Sequence, residues 1–178
     1  DAQDYRIPKI WYGDIDTEEG KSLKACDPNG PLFYVITKVE IDPQAGEIAT
    51  GRLFSGTMKK GVGVYLNRAK QEGRVQQVFI RNGAKREIID SAPAGNIVSV
   101  GGVSSFAGET ITQKETTPFE AISHIFEPVI SKSITVKKPA DLPKLIEVLR
   151  KVAKEDPSIN VEINEETGEH LMSGMGEL

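Results

Sequence analysis

The sequence predicts a mostly β chain with α+β character, an antiparallel β-barrel followed by an incomplete ferredoxin-like βαββ unit. Three observations predict it. Between Leu32 and Gln113 short apolar, β-branched runs alternate with Gly, Pro, Asn and Asp clusters, and no helical period intervenes. Near the C-terminal end Leu142, Leu145, Ile146, Leu149, Val152 and Ala153 fall on one face at helical spacing. That helix is flanked by two strand-like runs, and a tight turn then leads into a third.

The elements follow in order. Residues 1–30 hold no sustained period and read as a linker, in which Ile7, Ile10, Trp11 and Tyr12 supply one apolar anchor. Cys26 to Pro31 is dense in turn formers and marks a boundary. The barrel is expected over 31–113. Its first strand is Leu32 to Ile41, stopped by Asp42-Pro43, and its second is Glu47 to Phe54, turned by Ser55-Gly56-Thr57. Gly61 to Leu66 and Gly73 to Ile80 follow, with Arg81-Asn82-Gly83 as a turn signal. Arg86 to Asp90, Gly95 to Val100 and Glu109 to Gln113 complete the set. Short strands at this spacing close on themselves, which removes sheet edges.

Residues 114–118 are polar and form a second linker, after which 119–178 form the βαββ unit. Val129 to Val136 is its first strand. Asp141 is placed to cap the helix, with Pro143 in the first turn, and Asp156-Pro157 ends it. Ile159, Val161 and Ile163 alternate with polar residues. Thr167-Gly168 turns the chain, and His170 to Met175 returns. A split βαβ fold continues with a further helix and strand. Residues 119–178 should therefore expose an apolar patch and be less stable than the barrel.

Composition narrows the function classes. The 178 residues carry a net charge of −4, against broad electrostatic capture of nucleic acid. Residues 31–112 nevertheless hold ten Lys and Arg against seven Asp and Glu, so any RNA contact belongs there. Cys26 is the single cysteine, which excludes an internal disulfide and suits a reducing, cytoplasmic setting. No apolar run approaches membrane-spanning length, so no membrane partner is expected.

Wording along the chain is similar to the elongation factor 2 family of ribosomal translocase GTPases. Tyr5 to Trp11 resembles the segment leaving the GTPase domain of that family, and Asp27 to Leu32 the entry into its barrel. Gly51-Arg52-Leu53-Phe54-Ser55-Gly56-Thr57 with Lys60-Gly61 resembles the barrel motif shared by translational GTPases. Glu127-Pro128-Val129, Leu145 through Pro157 and Glu166 through Leu178 are more specific to the family, and its archaeal branch fits the compact loops best. The resemblance implies a non-catalytic piece of such a factor, holding the second-domain barrel and part of the third domain. It implies that residues 1–30 link to an absent GTPase domain, which holds GTP and magnesium. It implies a ribosomal partner, through small-subunit RNA and ribosomal protein, and interfaces with the absent GTPase and C-terminal domains. The work implied is docking and relay during GTP-dependent translocation. The alternatives are a free-standing RNA-binding barrel and a piece of another translational GTPase.

Candidate sites follow. Ser173 to Glu177 and Val100 to Val103 are Gly-rich, but neither is followed by the Gly-Lys-Ser/Thr of a phosphate loop, so they read as turns and no cofactor is expected. Asp14, Asp16, Glu18 and Glu19 lack the glycine of a calcium loop, and His124 and His170 lack partners at zinc spacing, so neither a metal nor a catalytic residue is expected. Arg52, Ser55, Gly56, Lys59 and Lys60 form one candidate RNA loop, offering backbone and hydroxyl donors beside two lysines. Arg81, Lys85 and Arg86 form a second. By resemblance, Glu166, Glu169, His170 and Ser173 belong to an interdomain and inhibitor-binding junction.

Overall fold

A computed structural model describes residues 2–83, 85–120, 129–156, 158–164 and 169–176. The chain divides into two compact units, residues 1–122 and 123–178.

Where the sequence suggests a linker, the first unit opens with two short helices, α1 (Ala2–Ile10) and α2 (Glu18–Ala25). The Thr17 hydroxyl accepts from Gly20 N–H and caps α2, Glu18 and Glu19 sit in its first turn, and Cys26 ends it in the left-handed region at φ 53°. Helices this short do not persist on propensity alone, so packing must hold them. Ile7, Trp11 and Leu23 are buried with Phe33, Val35 and Phe119 in one cluster. Tyr12, expected in the same anchor, is instead 71% exposed.

The barrel comprises β1 (Phe33–Asp42), β2 (Gly46–Ser55), β3 (Thr57–Lys59), β4 (Gly63–Leu66), β5 (Gln71–Arg74), β6 (Gln77–Asn82), β7 (Lys85–Ile89), β8 (Ser91–Pro93), β9 (Ile97–Gly101) and β10 (Thr110–Thr112). Its eight-stranded sheet runs in the order β5-β4-β10-β1-β2-β9-β6-β7, and β3 pairs with β8 separately. All these pairings are antiparallel. The run predicted as one strand from Gly73 to Ile80 is broken at Val75 and Gln76, where the chain leaves β4 and joins β9. Two β1–β2 register shifts, at Phe33/Tyr34 and Ile36/Lys38, bend this pair. Gly51 lies between them, and a Cβ there would sit 2.0 Å from the Val35 carbonyl oxygen. Only glycine permits that approach.

Inward residues of β1, β2, β4, β6, β9 and β10 meet in one core. Tyr34 stands at its centre. Its hydroxyl lies 3.0 Å from both the Ala49 and the Val98 carbonyl oxygens, and burial pushes its pKa well up. Glu109 is also fully buried. Its carboxylate accepts from the backbone N–H groups of Arg68 (2.8 Å), Thr110 (2.8 Å) and Ala69 (2.9 Å), so one side chain satisfies the turn after β4.

The second unit contains β11 (Ile130–Ile134), a 3-10 turn (Pro139–Asp141), α3 (Leu142–Glu155), β12 (Asn160–Ile163) and β13 (His170–Gly174). The sheet order is β11-β13-β12, antiparallel throughout. This is the strand-helix-strand-strand order expected. Asp141 differs from expectation: it sits in helical backbone geometry and its side chain caps nothing, because the preceding 3-10 turn already supplies the entry. Asp156 ends the helix in extended geometry, and its carboxylate accepts from the Ser158 N–H (2.9 Å) and hydroxyl (2.6 Å). The Thr167-Gly168 turn lies outside the described residues. Of the helix's apolar stripe only Leu149 is buried, while Leu142, Leu145, Ile146, Val152 and Ala153 are half-buried. Val129 and Val148 are 72% and 47% exposed.

Two outcomes are expected. Replacing Glu109 by Gln removes an acceptor from the three N–H groups and should lower barrel stability by about 1–3 kcal/mol in denaturant titrations. Amides of β11, β12 and β13 should exchange with deuterium at least about tenfold faster than those of β1, β2 and β9, because so little of their surroundings is buried.

Candidate RNA-docking surface

The first basic loop is the turn from β3 into β4. The Lys60 N–H donates to Asp90 O (3.1 Å), Gly61 N–H to Val75 O (2.7 Å) and Val62 N–H to Lys59 O (3.3 Å). Gly61 takes φ +81°, a left-handed conformation costly for other residues. Arg74, on β5, donates from Nε to Gly61 O (2.8 Å) and so brings a third cation to the turn. Lys59 and Lys60 are exposed, and neither has an acidic partner among the described residues. The turn is therefore held firmly while its two ammonium groups are free.

Ser55 and Gly56 do not join it. Ser55 is fully buried, and its hydroxyl donates to Asp27 O (3.4 Å). Gly56 N–H donates to the same carbonyl (2.8 Å), at φ +80° and hard against Leu32. The donors expected for RNA are consumed in seating residues 27–32 on the barrel. Arg52 lies elsewhere, exposed on β2 with its guanidinium 5.5 Å from the Phe54 ring centroid.

The second basic loop is largely neutralised. Arg81 pairs with Glu40, and Arg86 pairs with Asp42. Lys38 also reaches Glu40, at 2.9 Å. Arg86 further lies 6.0 Å from the Phe79 ring centroid. Lys85 alone of the three expected cations has no partner among the described residues. The sequence hides this because the acids come from the β1–β2 hairpin, some forty positions away.

Asp42 shows how strongly that hairpin is tied. Its Oδ1 accepts from the N–H groups of Ala45 and Gln44, both at 2.8 Å, and Arg86 holds Oδ2. The Ala45 and Gln44 bonds, then Arg86, lower its pKa from 3.8 to about 2.

In the second unit His170 is buried, and neither ring nitrogen has a hydrogen-bond partner among the described residues. It sits opposite Ile134 and Ile163 in the sheet. Ser173 is 7% exposed, and its hydroxyl meets that of Ser131 at 2.8 Å. Neither side chain offers itself to solvent as a docking group. Glu169 is exposed, and Glu166 lies outside the described residues. Among the described residues no cluster of three or more His, Cys, Asp and Glu could hold a metal, and no helix is long and apolar enough to cross a membrane.

One outcome follows from the Asp42 geometry. Because its folded pKa lies below the ordinary value, its stabilising contribution is complete above about pH 4. It is lost as the pH falls through about 2. The Gln44 and Ala45 amide signals should titrate together in that window, and Asp42→Asn should abolish the step.

Comparison with known proteins places these features. Residues 46–112 match the family described as elongation factor Tu domain 2, and residues 125–178 match elongation factor G, domain III. Elongation factor 2 of Methanopyrus kandleri is 55% identical over 99% of this chain, which covers 14% of that protein. Elongation factor 2 of Archaeoglobus fulgidus is 54% identical and that of Pyrococcus furiosus 51%, each over the whole chain, which spans 25% and 24% of their lengths. A barrel of one kind, a βαββ unit of the other and this identity across both units show that the chain belongs to the elongation factor 2 family.

Proposed function

We propose that these residues are the docking and relay segment of a ribosomal translocase GTPase, and that the barrel meets ribosomal RNA through the Lys59–Gly61 turn. The observation that carries the docking site is the pair of exposed lysines, without an acidic partner among the described residues, on a turn pinned by hydrogen bonds to the Asp90 and Val75 carbonyls and by Arg74 beside them. A rigid turn bearing free cations gives up little conformational freedom on meeting phosphate oxygens, and it recognises shape rather than base identity. The Arg81 and Arg86 loop contributes less, because each guanidinium must first exchange a carboxylate for a phosphate. Each contact is weak, which suffices where several domains of one factor engage a ribosome together.

The second unit supplies the relay. Most of its described apolar side chains are half-buried, so contacts with neighbouring domains can alter its packing at small cost. GTP and magnesium are assigned to the GTPase domain of the full-length factor, because these 178 residues contain no phosphate loop. A cytoplasmic site of action goes with this reading.

The test is cosedimentation with vacant archaeal ribosomes across a salt series. Lys59→Ala with Lys60→Ala should weaken binding at low salt and reduce the slope of log K against log salt by about two, whereas Arg81→Ala with Arg86→Ala should change the slope by less than about one. The reverse ranking would move the docking surface to the β6–β7 hairpin. Equal, salt-insensitive binding by all variants would end the RNA reading.

A further inference from the structure

A second surface of the barrel unit has no part in that docking. Between α1 and the outer face of β1 and β2 lies an open cleft of about 530 Å³. This is within the size range of ligand sites. Its floor is apolar: Ile10, Val35, and the stacked rings of Phe54 and Phe119, whose centroids are 4.8 Å apart. Two guanidinium groups line it. Arg6, on α1, is exposed and has no acidic partner among the described residues. Arg52, on β2, has its guanidinium near the Phe54 ring and, among the described residues, one 3.4 Å contact with Gln3 Oε1. Among the described residues Glu120 is the single carboxylate of the lining.

We propose that this cleft binds an acidic peptide segment of a partner protein, with one aromatic or large aliphatic side chain seated on the Phe54 ring. The charge argument is direct. Among the described residues two arginines against one glutamate leave the lining cationic, and a guanidinium fork matches a carboxylate in geometry as well as charge. The apolar floor supplies the place for the side chain between those carboxylates.

An unpaired nucleotide offers similar charge, and the lining disfavours it. A buried base needs partners for its polar edge. The Gln3 amide already donates to Leu23 O (2.6 Å) and Phe54 O (2.8 Å), and the Thr37 hydroxyl donates to Thr50 O (3.2 Å). These neutral donors are engaged internally, so the cleft suits an apolar side chain better than a base.

The proposal stands apart from ribosome docking, since it uses none of Lys59, Lys60 or Arg74. Its test is an NMR titration of the whole chain with a blocked Asp-Phe-Glu tripeptide, beside blocked Ala-Phe-Ala and adenosine 5′-monophosphate. The expected result is a saturable shift of the Ile10, Arg52 and Phe54 signals by the acidic peptide, with a dissociation constant on the order of 1 mM. The neutral peptide should bind at least about tenfold more weakly. Arg6→Glu and Arg52→Glu change exposed side chains and should keep the native amide spectrum, yet each should weaken the acidic peptide by about tenfold. No saturable shift, or equal binding of both peptides, would overturn the proposal. Tighter binding of the nucleotide would overturn it in favour of an RNA site.

Discussion

The first unit depends on an aromatic clasp on the outside of its barrel. Trp11 meets Phe33 edge to face, Phe33 meets Phe119 in the same way, and Phe119 stacks on Phe54. The Trp11 indole N–H donates to Thr117 O (2.8 Å), Glu120 N–H donates to Ile10 O (2.7 Å), and Arg68 donates to Phe119 O (2.6 Å). Each edge-to-face pair adds about 0.5–1.5 kcal/mol beyond burial, and each neutral hydrogen bond about 0.5–1.5 kcal/mol. Burial of the rings outweighs both, at several kcal/mol for a tryptophan. The clasp therefore does what the helical sequence of α1 cannot. It fastens a nine-residue helix containing Pro8 to a sheet, and in doing so it raises one wall of the cleft.

Outside the cleft, arginines of the barrel serve three ends, and their neighbours decide which. Arg68 spends its guanidinium on the Gly108 and Phe119 carbonyls and is part of the scaffold. Arg81 and Arg86 sit opposite acids on a facing hairpin. Arg74 uses only Nε to brace Gly61 and keeps the rest of its fork at the surface. Exposed ion pairs are worth about 0–1 kcal/mol, so the paired arginines add little stability. The same pairing leaves them little to gain from a phosphate, because one anion merely replaces another. Lysines without an acidic partner among the described residues gain the whole interaction, which is why the proposed docking site is the β3–β4 turn rather than the more arginine-rich hairpin.

Much of the fold was legible because strand signals in the barrel are local. Phe33 to Asp42 and Gly46 to Ser55 are long, β-branched and bounded by turn formers. What escaped depends on distant partners. Over α1 and α2 only Tyr5, Ile7, Pro8, Ile10, Leu23 and the alanines are apolar, too few to mark a period, and their helices exist because the clasp and the Thr17 cap favour them. The three-residue strands β3 and β8 are shorter than any pattern can register. At the site, Lys59 and Lys60 could be read directly. The role of Arg74 could not, since it reaches back thirteen positions to Gly61. Nor could the loss of Arg81 and Arg86 to Glu40 and Asp42, or the burial of Ser55, because register across the sheet decides each of them.

Among the described residues each unit leaves a buried polar side chain without a partner, the Ser105 hydroxyl in the first and the His170 ring in the second. In the barrel the larger buried polar groups, the Glu109 carboxylate and the Tyr34 hydroxyl, both find partners, and only the small Ser105 hydroxyl does not among the described residues. In the second unit His170 is buried with both ring nitrogens unpartnered among the described residues. An unsatisfied buried polar group costs about 1–3 kcal/mol. Domain stabilities run to only about 5–15 kcal/mol, and a small unit with half-buried apolar residues lies at the low end. An element in that position has neighbouring states within reach of the energy of a few contacts, whereas the barrel does not. If the proposed relay operates, it has to run through the unit whose equilibrium a neighbour's contacts can shift. On these grounds the barrel is proposed as the anchor, and the βαββ unit as the part that can respond.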